Sequence, residues 1–487
     1  MSVIKGANPV IGMDFPDPDV IFADGCYYMI STTMHFFPGG QILRSYDLVH
    51  WEHAAYVFDT LDSTPGQTMT DDLNIYGKGM WAACLRYHKG EFFAAFSCND
   101  TDKTYLYRAP SISGPWKKNY IGGGFYYDMS LLFDDDRVFV VHGHKDVYIT
   151  ELKSDLSEPL PGGLHRLLIS DGGNPILGYE GSHIYKIGGE YWLFVIHSRR
   201  DRWMRVEAAF HASSLEDEFT GGDVLEYSLP DRDSGFAQGG VVEGPDGSWH
   251  AVLFRDNGAV GRIPVVAEVS FAPDHKSLTM TAAPSFDSAD LRPGYSYSPL
   301  YISDDFSSSS IDPLWQFNHE PYPSYYKVGG GAYSITTDRI SRSLASSHNT
   351  LTQRMKLPSC AASVTLDASR LKDGDTCGLC ALQGDHAYVG VTREQGKFYA
   401  VFGEASGERL LKEIEETTLK VRLEASFGPH DEARCFIFLK GAWVPFGNVH
   451  ELHFKLDHFT GCRFGLFCYA TEVTGGTASF SDFIYEG

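Results

Sequence analysis

The 487-residue chain has little that would carry it into a membrane, onto a nucleic acid or into a disulfide framework. No apolar run reaches the about 20 residues that a bilayer-spanning helix needs. The opening MSVIKGANPVIGMDF lacks the basic segment, apolar stretch and small-residue cleavage site of a secretory leader, so a cytoplasmic location is expected. Only 40 lysines and arginines face 63 acidic residues, and the formal charge of −23 repels nucleic acid and anionic lipid. Neither is an expected partner. Nine cysteines, an odd number spread over a long chain, suit buried reduced thiols. Cys377 and Cys380 form a lone CxxC without a second pair or a histidine at finger-like spacing, which argues against zinc. Helical periodicity is also nearly absent.

What is present is strand. At 43% hydrophobic and 14% aromatic the chain has material for large cores, and its length exceeds the about 250–300 residues at which one core stops growing, so two domains are expected. Five segments share one form, an apolar strand, a turn and an aromatic-rich strand: VIFADGCYYMIS, CLRYHKGEFFAAF, SLLFDDDRVFVVHG, HIYKIGGEYWLFVIHS and VVEGPDGSWHAVLF. Asp24-Gly25, Lys89-Gly90, Gly188-Gly189 and Asp246-Gly247 read as two-residue hairpin turns, and the Asp134 to Asp136 stretch as a less regular one. Further strands follow the first four hairpins, for example ILRSYDLVHWEH and RVEAAFHASSLEDEF. Near-four-stranded units recurring every roughly 45–65 residues predict a five-bladed β-propeller, placed over residues 1–295.

The repeats share a chemical register. Counting back eight residues from the second turn residue lands on Asp17, Ala82, Asp128, Gly181 beside Glu180, and Gly239 beside Gln238. In equivalent blades these positions line one end of the central channel.

From about residue 284 the chain becomes rich in Ser, Pro and Asp, in APSFDSADLRPGYSYSPLYISDDFSSSS, which reads as a linker. Beyond it, period-two segments such as AASVTLDAS, AYVGVTRE and RFGLFCYATE predict an antiparallel β-sandwich, jelly-roll or concanavalin-like, over residues 303–487. The fold class is all-β.

Hydrolysis of a glycosidic bond takes one carboxylic acid to protonate the leaving oxygen and one carboxylate to activate water or attack the anomeric carbon. Asp17 lies between Pro16 and Pro18, which restrict the backbone on both sides and suit a rigidly aimed base. Asp14 and Asp19 lie close by and compete for that role. Glu180 precedes Gly181, whose small size leaves room for a ligand, and burial or a second negative charge raises a glutamate's affinity for a proton. Asp128 is the natural source of that charge. Each acid alone reads as a turn cap or a solvated strand end, and the shared register is what raises all three above that reading.

Several motifs resemble glycoside hydrolase family 43: Asn8-Pro9 with Phe15-Pro16-Asp17-Pro18-Asp19, Ser45 to Trp51, Met80-Trp81-Ala82-Ala83, Asp128-Met129-Ser130-Leu131 and Glu180-Gly181-Ser182-His183. The second domain resembles that family's C-terminal β-xylosidase module through Trp315 to His319, Asn349 to Arg354, Tyr388 to Val391 and Gly461 to Phe467. The resemblance implies an inverting hydrolase with Asp17 as general base, Asp128 as the residue that tunes and orients, and Glu180 as general acid, the acid and base about 6.5–9.5 Å apart. It also implies that Arg262 contacts sugar hydroxyls and holds a carboxylate, and that Phe459 reaches across from the second domain. Trp81 and the His35-Phe36-Phe37 segment are candidate faces for a sugar ring. Resembling enzymes often hold calcium or water at the propeller centre through a histidine. Ala251 to Asp256 offers none, His250 and His197 read as structural, and no metal or other cofactor is expected. The activity implied is exo-hydrolysis of terminal β-D-xylosyl or α-L-arabinofuranosyl residues from short oligosaccharides, with oligomerisation left open. A retaining fructan or sucrose hydrolase and a non-catalytic sugar-binding protein are the rival readings.

Overall fold

A computed structural model describes residues 2–487. Five four-stranded antiparallel sheets come first, with inner strands Asp19–Ala23, Met80–His88, Ser130–Asp134, Glu180–Ile187 and Ala237–Glu243. In each, three further strands step outward in chain order, the first blade passing over the short Phe36–Phe37 strand, in the blade pattern of a propeller. Side chains alternating along these strands fill the spaces between blades. Phe92 and Phe96 meet Ile30 between the first and second, and Leu106 meets Leu131 and Val140 between the second and third. Phe139 meets Ile184 between the third and fourth, and Phe194 meets Leu253 and Val265 between the fourth and fifth. Among the described residues helix is confined to four three-residue 3₁₀ turns.

The hairpins follow their turn chemistry. Asp24-Gly25, Lys89-Gly90 and Gly188-Gly189 join directly paired residues, and both members of each take positive φ, between 49° and 90°. This is the twist-matched geometry that glycine permits. The fifth turn differs from the two-residue expectation. Glu243 pairs with Trp249, so the connection spans Gly244 to Ser248. Here the Gly247 amide donates to the Gly244 carbonyl at 2.9 Å, closing a turn with Pro245 at its second position, where a fixed negative φ is favoured.

The ring closes through an element read in the sequence as linker. Ser285–Asp290 is a strand paired with Ser2–Ala7, and the Asn8 side chain donates to the Val266 and Ala283 carbonyls. Tyr295 and Tyr297 then hydrogen-bond Glu52 and the Tyr46 amide of the first blade, so the following segment is bound along the propeller.

The remaining strands form a sandwich of two eight-stranded sheets around Leu351, Val364, Val389, Leu423 and Phe480. All nine cysteines are free and buried, Cys377 and Cys380 within one sheet of this sandwich. That same sheet reaches into the propeller. Phe36–Phe37, from the first blade, is its edge strand, with Phe37 opposite Phe317 and Phe36 opposite Asn318. Shared backbone pairing of this kind fixes the sandwich over one mouth of the ring.

Candidate active site

Inner strands bring the three acids together. Asp17 stands two residues ahead of the first inner strand, Asp128 two ahead of the third, and Glu180 opens the fourth. Asp17, Asp128, Gly181 and Gln238 take left-handed φ of 51°, 46°, 63° and 57°, and register shifts open the inner strands at Met80/Ala83, Glu180/His183 and Ala237/Gly240. Such bulges re-aim a side chain at a sheet's rim, and strained non-glycine backbone concentrates where geometry serves function. The result is a small recess of about 50 Å³, well below the about 300–1,000 Å³ usual for ligand pockets. Asp17, Asp128 and Glu180 line it, as do Trp81, Arg262 and Phe459. A larger recess on the sandwich holds Arg422, Glu424, Glu432, Arg434 and Glu486, whose charges already pair with one another.

Asp17 is buried and held at both oxygens. Arg262 Nη1 donates to Oδ1 at 2.7 Å and Thr32 Oγ1 to Oδ2 at 2.7 Å. Two fixed donors leave the carboxylate one orientation. Arg262 is fixed in turn, with its amide donating to Asp14 Oδ1 and its guanidinium lying 4.3 Å from the centre of the Phe459 ring. Asp14, a competitor for the base in the sequence, bridges the domains instead: its Oδ2 accepts from the Gly461 amide at 2.8 Å, two residues beyond Phe459.

Glu180 Oε2 accepts from Tyr127 Oη at 3.2 Å and lies 2.8 Å from His144 Nδ1. Asp128 lies beneath, and the strongest electrostatic strain in the cluster falls on it. Burial, then the Glu180 and Asp17 charges, push its carboxyl well above the usual range. The cluster therefore retains a proton at pH values where an isolated aspartate has lost one. Sequence reasoning made Asp128 a source of negative charge, and the resemblance made it the residue that tunes and orients. Gly181 also differs from expectation, because the space a Cβ would need is filled by the Gln238 side chain, at 2.6 Å, and not left to a ligand.

His35 and Phe37 do not reach the recess. Phe37 is buried in the core between the first two blades, in the strand that joins the sandwich. His35 is buried at the domain interface, its ring packed against Phe36, Tyr76 and His319. Pairing with the second domain turns this segment away from the channel, and its neighbour Met34 takes the lining position.

Sequence reasoning missed Tyr127 and Arg205, which also line the recess, and set Gln238 at the channel end by register without giving it a role. Arg205 is buried, donates through Nε and Nη2 to Asp256 at 2.6 and 3.3 Å, and packs over Trp203. It opens the third strand of the fourth blade, as Arg262 opens the third strand of the fifth. Comparing neighbouring blades at that position would have found it.

Below the acids, the axis-facing residues form a lock. Asp19 accepts from Arg86 Nη1 at 2.6 Å, the Leu85 amide at 2.7 Å and Tyr185 Oη at 3.3 Å, and contacts His183 Nδ1 at 3.1 Å. Arg86 donates onward to Ser130 Oγ and the Leu131 carbonyl. Among the described residues no group of three or more His, Cys, Asp or Glu side chains is arranged to hold a metal ion. With a guanidinium already against Asp19, the axis does not fit a calcium ion.

A five-bladed propeller with three convergent carboxylates in one recess defines a glycoside hydrolase. The model of glycosyl hydrolases family 43 matches residues 6–276, and the β-xylosidase C-terminal concanavalin A-like domain matches residues 303–486. The chain belongs to glycosyl hydrolases family 43. It is 24% identical to a β-xylosidase of Formosa agariphila across 98% of this chain and 90% of that one. It is 23% identical to a non-reducing end α-L-arabinofuranosidase of Bacteroides ovatus across 66% of this chain and 62% of that one. Among solved structures, a bifunctional GH43-CE protein of Bacteroides eggerthii superposes with a TM-score of 0.90 at 35% identity over this whole chain, which spans 64% of that protein's length.

Proposed function

We propose that the protein is an inverting exo-glycosidase that removes terminal β-D-xylosyl or α-L-arabinofuranosyl residues from short oligosaccharides. The observation that carries this is the small recess itself, walled by three carboxylates from three blades and bounded by Phe459 of the second domain. A recess this small, with Phe459 against it, favours chain ends over polymer interiors. The names of the β-xylosidase and arabinofuranosidase relatives support the sugar class.

In this reading Asp17, aimed by Arg262 and Thr32, takes a proton from the attacking water. Glu180 protonates the leaving oxygen. Asp128 keeps the shared proton within the cluster, and Arg205 and Arg262 donate to sugar hydroxyls. Asp256 neutralises Arg205, so the recess offers no unpaired cation for an anionic sugar. The test is incubation with nitrophenyl β-D-xyloside, α-L-arabinofuranoside and β-D-glucuronide. Release from one or both of the first two and none from the third is expected. Release from neither pentoside would overturn the proposal.

A further inference from the structure

We infer that His144 is a positioning residue for the catalytic acid, acting with Tyr127 to confine the transferable proton to Oε1 of Glu180. The inference rests on Glu180 being the general acid. A carboxyl oxygen offers two lone pairs. Tyr127 Oη donates to Oε2 at 3.2 Å, and His144 Nδ1 lies 2.8 Å from the same atom. With both lone pairs of Oε2 taken by these donors, the acid's proton is left to Oε1.

The arrangement also serves the transfer. As the Oε1–H bond breaks, a new O–H bond forms at the glycosidic oxygen, and the bond from the anomeric carbon breaks with its electron pair moving to that oxygen. The carboxylate left behind keeps the same two hydrogen bonds. No group around it must reorganise, the condition under which preorganised donors contribute most. The charged and titratable groups facing the pair are Lys145 beside His144, Tyr127 against its ring at 5.6 Å, Arg205 across the recess, and Asp128 and Asp17 beyond Glu180. The hydrogen bond to Glu180 raises the affinity of His144 for a proton, while burial and Lys145 oppose it. The protonated ring and the Nδ1–H tautomer of the neutral ring both put a hydrogen on Nδ1 for the carboxylate.

The His144 side chain is 42% exposed, so it can be replaced without opening a core. The experiment measures kcat/KM on aryl β-xylosides running from 2,4-dinitrophenyl, which leaves without help, to phenyl, which needs an acid. His144→Ala is expected to slow the phenyl substrate about tenfold more than the dinitrophenyl one. His144→Asn, whose amide can donate near the Nδ1 position, is expected to restore most of the difference. Equal slowing of both substrates by His144→Ala would overturn the inference, since lost structure affects all leaving groups alike. Glu180→Gln serves as the control. If it too shows no dependence on the leaving group, the acid assignment itself fails and the His144 inference falls with it.

Discussion

Replacing Arg86 with methionine should loosen the whole ring, because this one guanidinium links the inner strands that carry the acids. Asp19 lies two residues past Asp17, Ser130 two past Asp128, and His183 three past Glu180 with a bulge between. Alternation along each strand therefore puts the lock directly beneath the candidate catalytic groups. Its reach extends to the fifth blade, where the Val241 amide donates to Tyr185 Oη. Burial pushes the Asp19 carboxyl up, and Arg86, His183 and the Leu85 amide more than reverse this, leaving it at about 2. Removing one partner of a buried ion pair costs about 3–5 kcal/mol, since the other charge stays buried and unpaired. At about 2–4 °C per kcal/mol for a domain near this size, the midpoint of thermal unfolding should fall by about 10 °C. Adding Asp19→Asn to Arg86→Met should recover much of the loss, as no charge then remains buried.

Acid titration gives a second readout of the same pair. A depressed carboxyl contributes stability that is present above its unfolded value near 3.8 and is lost as pH falls toward about 2. That interval corresponds to about 2 kcal/mol. Wild type should therefore lose stability between pH 4 and 2, and the double variant should lose less. Calorimetry across pH measures both effects. A midpoint for Arg86→Met within 2–3 °C of wild type, an effect of about 1 kcal/mol, would refute the idea that the lock holds the ring.

Asp17→Ala and Glu180→Ala should each lower turnover of unactivated substrates by at least about 10²-fold, the usual scale for loss of a base or acid; near-normal rates in either would remove its role. Asp128→Asn should raise thermal stability at pH 7 while abolishing most activity. Its carboxyl is raised, so folding is penalised as pH climbs above the unfolded value, and the gain should vanish near pH 4. A stability difference independent of pH would contradict this. Arg205→Ala should lower kcat/KM about 10–100-fold, as expected when a charged donor of about 1.5–3 kcal/mol is lost, and a change under about twofold would show that it does not meet the sugar.

The blades were legible because their signals are local. Asp24-Gly25 and Lys89-Gly90 specify a turn from two residues, and counting back along a strand of fixed period carries Asp17, Asp128 and Glu180 to one end of the ring. What sequence could not carry was pairing between distant segments. Phe37 lies opposite Phe317, and nothing near either residue announces the partner. Ser285–Asp290 looked like linker because its Ser and Asp composition hides a strand stabilised by Ser2–Ala7 from the far end of the domain. Arg86 read as an ordinary strand residue, since only the closed ring brings Asp19 against it.

Inversion requires a water molecule to attack between Asp17 and Glu180. Proton NMR of the sugar first released from an aryl β-xyloside, recorded before mutarotation, tests this most directly. α-Xylose as the initial product is the predicted result, and β-xylose appearing first would contradict it.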